Sequence, residues 1–80
     1  MTVRTLKKWV EWGNDFYFTY DGARAGMEST VHNGVWSYNL WWKDVDKTYS
    51  AWKDVINDPV FNGNSIAALM ASKQIAIDFC

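Results

Sequence analysis

The 80-residue chain predicts a single α+β domain: a three-stranded antiparallel meander with helices packed on one face and a C-terminal strand, in the order α-β-β-β-α-α-β. Asp21-Gly22 and Asn33-Gly34 are hairpin signals, because a two-residue type I′ turn needs positive φ at both central residues. The segments around these turns alternate large apolar side chains with polar or small ones, the period of a strand. Beyond residue 43 the apolar spacing lengthens to that of a helix.

At the start of the chain, Thr5 is the expected cap of a short helix that turns Leu6, Trp9 and Val10 inward and closes at Gly13. A strand over residues 8–12 is the competing reading. Strands follow over residues 15–20, 23–31 and 35–42. The first turn sets Tyr20 opposite Ala23, Phe18 opposite Ala25 and Phe16 opposite Met27. The second sets Val31 opposite Trp36, Ser29 opposite Tyr38, Met27 opposite Leu40 and Ala25 opposite Trp42. Both registers place these residues on one face, with large side chains opposite small ones. Asp15 would then oppose Glu28, a like-charge pair that predicts a later start for the first strand.

Asp44 reads as the N-cap of a second helix, with Asp46 in its first turn and Val45, Tyr49, Trp52 and Ile56 as its apolar stripe. Asp58-Pro59 ends it, since the residue before proline avoids the α region. Asn62-Gly63 reads as another turn, and Asn64 or Ser65 as the cap of a last helix with Ile66, Leu69 and Met70 inward. Residues 74–79 alternate, with Ile75, Ile77 and Phe79 on one side, and predict a strand added to a sheet edge.

The charge balance, 8 Lys plus Arg against 9 Asp plus Glu, lacks the basic excess of a general polyanion binder. The lone Cys80 gives no disulfide framework, and neither a leader-like nor a membrane-length apolar run is present; a soluble cytoplasmic protein with no membrane partner is expected. The 6 Trp, 4 Tyr and 4 Phe do not by themselves imply a binding surface. They need roughly 2,100–3,500 Å² of cover, and a chain this size buries about 8,500 Å². Position has to decide.

One His and one Cys cannot build a Cys/His zinc site, and Asp44, Asp46 and Asp54 lie in no EF-hand-like loop. His32 and Cys80 would meet as a nucleophile pair only if the C-terminus folded back onto the second turn. The expectation is a non-enzyme with no metal and no cofactor.

The sheet face opposite the core carries Tyr17, Arg24, Gly26, Glu28, Asn39 and Trp41 among mostly polar neighbours. The register puts Gly26 between Tyr17 and Trp41, so the two rings lean together over the glycine. Tyr17, Arg24 and Trp41 are therefore the candidate partner-contact residues, one of each type that most often anchors interfaces. Shielding of a strand glycine is the structural alternative for the ring pair. Trp9, Trp12, Trp36, Trp42 and Trp52 are expected in the core. The expected role is a small non-catalytic protein-interaction module, of the kind that serves as an accessory or inhibitor protein of a phage or mobile element. A nucleic-acid module stacking bases on Tyr17 and Trp41 is the alternative, opposed by Glu28 beside Arg24. No motif names the protein partner or the oligomeric state.

Overall fold

The computed structural model describes residues 1–79; Cys80, and with it the His32–Cys80 pair considered above, lies outside the described residues. A five-stranded antiparallel sheet is packed on one face by three helices. The elements are α1 (Val3–Glu11), β1 (Phe16–Tyr20), β2 (Ala23–His32), β3 (Val35–Trp42), β4 (Val45–Tyr49), α2 (Trp52–Asn57), α3 (Ile66–Ala71) and β5 (Asp78–Phe79). The spatial strand order is β4-β3-β2-β1-β5.

The meander follows the sequence pattern residue by residue. Asp21 and Gly22 take φ of 52° and 72°, and Asn33 and Gly34 take 53° and 76°, as tight hairpin turns demand. Phe16 pairs with Met27, Phe18 with Ala25, Met27 with Leu40 and Ala25 with Trp42. Asp15 stays outside β1, and its carboxylate accepts the Ser29 backbone N–H at 3.1 Å. The like-charge pairing with Glu28 is thereby avoided, and one backbone donor on the β2 edge beyond β1 is satisfied.

The segment after β3 differs from expectation. Lys43 adopts φ 50°, and the chain turns through Lys43-Asp44 into β4, which pairs Val45 with Trp42, Lys47 with Leu40 and Tyr49 with Tyr38. Asp44 is thus a turn residue rather than a helix cap, and Asp46 lies on a strand, where it accepts from Asn39 Nδ2 at 2.8 Å. The misreading has a simple origin: residues four apart share a face in a helix and in a strand alike, so Val45 and Tyr49 fit both periods. Val45, Thr48 and Tyr49 favour the strand, and pairing satisfies the edge of β3. α2 begins only at Trp52, behind Ala51, which makes no side-chain cap. It ends at Asp58 (φ −73°, ψ 119°), as the following proline requires. The Lys47 ammonium and the Tyr49 hydroxyl both donate to Asp58 Oδ2, tying β4 to the end of α2.

α1 is capped by Thr2 rather than Thr5: Thr2 Oγ1 accepts the Thr5 N–H at 3.2 Å. The longer helix adds Val3 to the side that buries Leu6 and Val10. Gly13, at φ 90°, stops it with an N–H donated to the Val10 carbonyl at 2.9 Å. Ser65 caps α3 through the Ala68 N–H at 3.1 Å. Of residues 74–79, only Asp78 and Phe79 enter the sheet, beside Tyr17 and Phe16 at the β1 edge.

The core gathers Leu6 and Val10 of α1, Phe16, Phe18, Met27 and Leu40 of the sheet, Val55 and Ile56 of α2, and Ile66 and Leu69 of α3. Phe61, wholly buried in the turn region between α2 and α3, packs on Phe18 at 5.3 Å and on Trp42 at 5.1 Å between centroids. Trp42 is buried as expected and donates its indole N–H to the Tyr20 carbonyl at 3.1 Å. Tyr38, Trp36 and Trp52 are only half-buried, in a run of ring contacts along the edge of the core. Trp9 and Trp12 depart from expectation outright, at 38% and 73% exposed. α1 has one inward stripe, which Leu6 and Val10 fill. Trp9 sits on its flank and Trp12 beyond its last turn.

Candidate functional site

The face of the sheet away from the helices is built by alternate residues of all five strands. One row across it reads Asp46, Trp41, Gly26, Tyr17 and Asp78, set by the pairings of β4 with β3, β3 with β2, β2 with β1 and β1 with β5. All three helices bury their apolar residues on the other side. Thr19, Arg24, Glu28, Thr30, His32, Asp46 and Thr48 are exposed here.

The sequence-derived site residues do come together. The Tyr17 and Trp41 ring centroids are 6.2 Å apart at an interplanar angle of 52°. The Trp41 indole occupies the space over Gly26, where a side chain would otherwise stand. The Arg24 guanidinium lies 5.9 Å from the Tyr17 ring centroid. Such a cation over an aromatic face contributes about 0.5–1 kcal/mol at an exposed position.

Each polar handle also has a partner within the chain. Trp41 Nε1 donates to Glu28 Oε1 at 3.1 Å, which fixes the indole along the strand. Arg24 Nη1 forms an ion pair with Asp78 Oδ2 at 2.9 Å and donates to Thr19 Oγ1 at 3.3 Å. Asp78 was not foreseen as a neighbour of this site. Its alternation was legible, but its place beside Tyr17 depends on which edge of the sheet receives β5. Around the two rings stand one cation, Arg24, and three carboxylates, Glu28, Asp46 and Asp78. The balance is acidic, so the face as a whole repels phosphate.

Comparison of the chain with protein-family models, curated proteins and solved structures finds no match. Function must therefore be read from this geometry.

No three His, Cys, Asp or Glu among the described residues gather as a metal group. Asp46 faces Asn39, and Asp54 lies in the first turn of α2. His32 stands exposed at the end of β2. A shallow groove of about 330 Å³ lies away from the ring pair, lined by Met1, Met70, Ile75 and Ile77. No helix is long and apolar enough to cross a membrane among the described residues. What sequence reasoning missed is the second aromatic surface, where Trp9 and Trp12 meet edge-to-face at 5.6 Å on the outside of α1. The available signal was the cationic company of these residues in the segment from Arg4 to Trp12.

Proposed function

We propose that the protein is a small non-catalytic interaction module that binds a protein partner through the open sheet face around Tyr17, Arg24 and Trp41. One observation supports this reading above the others: an aromatic pair, held in place over a glycine, stands on a face that no helix covers. Rings already fixed by neighbours lose little freedom on binding, which is how aromatic anchors gain affinity. Strand spacings of about 4.8 Å by 3.3 Å per residue give the sheet a flat area of roughly 500 Å². That falls below the ~800 Å² per partner of a standard stable interface, so the contact is a transient one. An accessory or inhibitor role for a phage or mobile element belongs to the same reading and rests on size and composition alone. The acidic balance of the face favours a protein over a nucleic acid.

The test compares wild type with Tyr17→Ala/Trp41→Ala as immobilised bait for a lysate of the source cells. A species retained by the wild type and lost by a folded double variant supports the reading. If the double variant unfolds, the rings are structural and the site is wrong. A parallel titration with single-stranded and duplex oligonucleotides at ~50 mM and ~200 mM salt decides between partner classes. Affinity that is high at the lower salt and collapses at the higher would replace the protein partner by a nucleic acid.

A further inference from the structure

A second surface, on the outside of α1, carries charge that the fold does not use. α1 bears Arg4, Lys7 and Lys8 against Glu11 alone, while the rest of the chain holds eight of the nine acids and five of the eight cations. The three ion pairs among the described residues engage Arg24, Lys43 and Lys47, so the α1 cations take part in none of them. The helix itself accounts for Lys8, which lies in its last turn where the dipole favours a cation, but not for Arg4. Its first turn contains Arg4 and no acid, the reverse of what the helix dipole favours. Residues that break a local rule without a compensating contact mark function more often than structure.

Arg4, Lys8 and Trp12 follow at i, i+4 and i+8, on the side opposite the buried Leu6 and Val10. Trp12 is 73% exposed, the most open of the large apolar side chains among the described residues. It is nevertheless held: it meets Trp9 edge-to-face at 5.6 Å, and Trp9 in turn lies 5.2 Å from Phe79 at the sheet edge. Asn14 Nδ2 donates to the Trp9 carbonyl at 2.9 Å, fixing the chain where it leaves the helix. A braced, exposed indole next to two unpaired cations is a preformed anchor with a charge preference.

We infer that this face of α1 docks a short acidic segment of a protein partner, with carboxylates on Arg4 and Lys8 and an apolar side chain against Trp12. The inference is independent of the sheet-face reading. Charge complementarity selects an acidic occupant. Extent selects a short one: Arg4 to Trp12 spans about 12 Å of helix, and the acids Glu11 and Asp15 flank Trp12 along the chain. A nucleic acid strand or an anionic bilayer extends past that length and meets the acids, whereas a segment of a few residues does not.

The probe is a fluorescent five-residue peptide of Glu and Asp with a central Leu, titrated by anisotropy at ~50 mM salt beside its Gln/Asn counterpart. The acidic peptide should bind at least about tenfold tighter, and Arg4→Glu/Lys8→Glu should remove that preference. Trp12→Ala should weaken binding to both peptides, and Tyr17→Ala/Trp41→Ala should leave both unchanged. Melting curves establish that each variant is folded; Arg4, Lys8 and Trp12 are exposed, whereas Tyr17 and Trp41 are half-buried. Equal affinity for the two peptides, or an acidic preference that survives charge reversal, overturns the inference. So does tighter binding to phosphatidylserine vesicles or to an oligothymidine. Self-association abolished by the same charge reversal would identify the occupant as a second copy of this chain and overturn the inference too.

Discussion

The Trp41 indole fills the place that a side chain at Gly26 would take: a Cβ there would stand 2.4 Å from Trp41 Cζ2 and 2.8 Å from Nε1. The glycine and the tryptophan are therefore one structural unit, formed across the β2–β3 ladder. Gly26→Ala must push the ring off Tyr17 and away from Glu28, and should cost about 1–2 kcal/mol of stability. With Trp41→Ala already present, the same change meets no ring and should cost much less. Denaturant melts of the two single variants and the double variant measure this non-additivity directly.

Phe61 is wholly buried and touches the rings of Phe18, Tyr20 and Trp42. Phe61→Ala leaves a cavity among rings that cannot collapse into it, and should cost about 3–5 kcal/mol. For a domain this small, that is much of the total stability. Phe61→Leu should retain a cooperative unfolding transition at reduced temperature, measurable by calorimetry.

Asp58 links β4 to the end of α2, and its pH behaviour follows from its partners. Hydrogen bonds from Lys47 and Tyr49 hold its carboxyl below the ordinary value of 3.8. The stabilisation is complete above the unfolded carboxylate pKa of about 4 and is lost as pH falls through the lower folded value. Burial, with the bond to Asp58 next, pushes the Tyr49 phenol upward, so its contribution is full below pH ~10 and is lost as pH rises further. Asp58→Asn should flatten the acid limb of a stability–pH profile. Asp58→Ala, which leaves the Tyr49 hydroxyl without this acceptor, should cost roughly 1–3 kcal/mol at pH 7.

Arg4→Glu separates fold from function on α1. An acid in the first turn complements the helix dipole, so the variant should gain about 0.3–1 kcal/mol. The same substitution removes a cation from the proposed acidic-peptide site. Higher stability with weaker binding is the expected combination, read by thermal melts and anisotropy on one sample.

β4 can be checked by amide exchange. A two-residue turn at Lys43-Asp44 makes Val45 and Trp42 a hydrogen-bonded pair, and the alternation continues through Lys47 and Tyr49. The amides of Val45, Lys47 and Tyr49 should be protected and those of Asp46 and Thr48 should exchange fast. Protection at consecutive residues would mean a helix instead.

Local chemistry determined much of this protein before any tertiary contact was known. Asp21-Gly22 and Asn33-Gly34 take positive φ cheaply, and each two-residue turn fixes a register with no further information. The apolar face, the Tyr17–Gly26–Trp41 row and the candidate site therefore followed from the sequence. Pro59 likewise marked the end of α2 through a purely local clash.

Only the tertiary structure decided the remainder. Val45 and Tyr49 satisfy helix and strand periods equally, and the free edge of β3 resolved the choice by offering backbone partners. Asp78 reached Arg24 because β5 joined the β1 edge, a selection between distant surfaces that alternation along one segment cannot express. Trp9 and Trp12 share the hydrophobicity of Trp42, yet α1 had room for a single inward stripe, and Leu6 and Val10 filled it. Burial depends on which surfaces meet, and that is a property of the assembled fold.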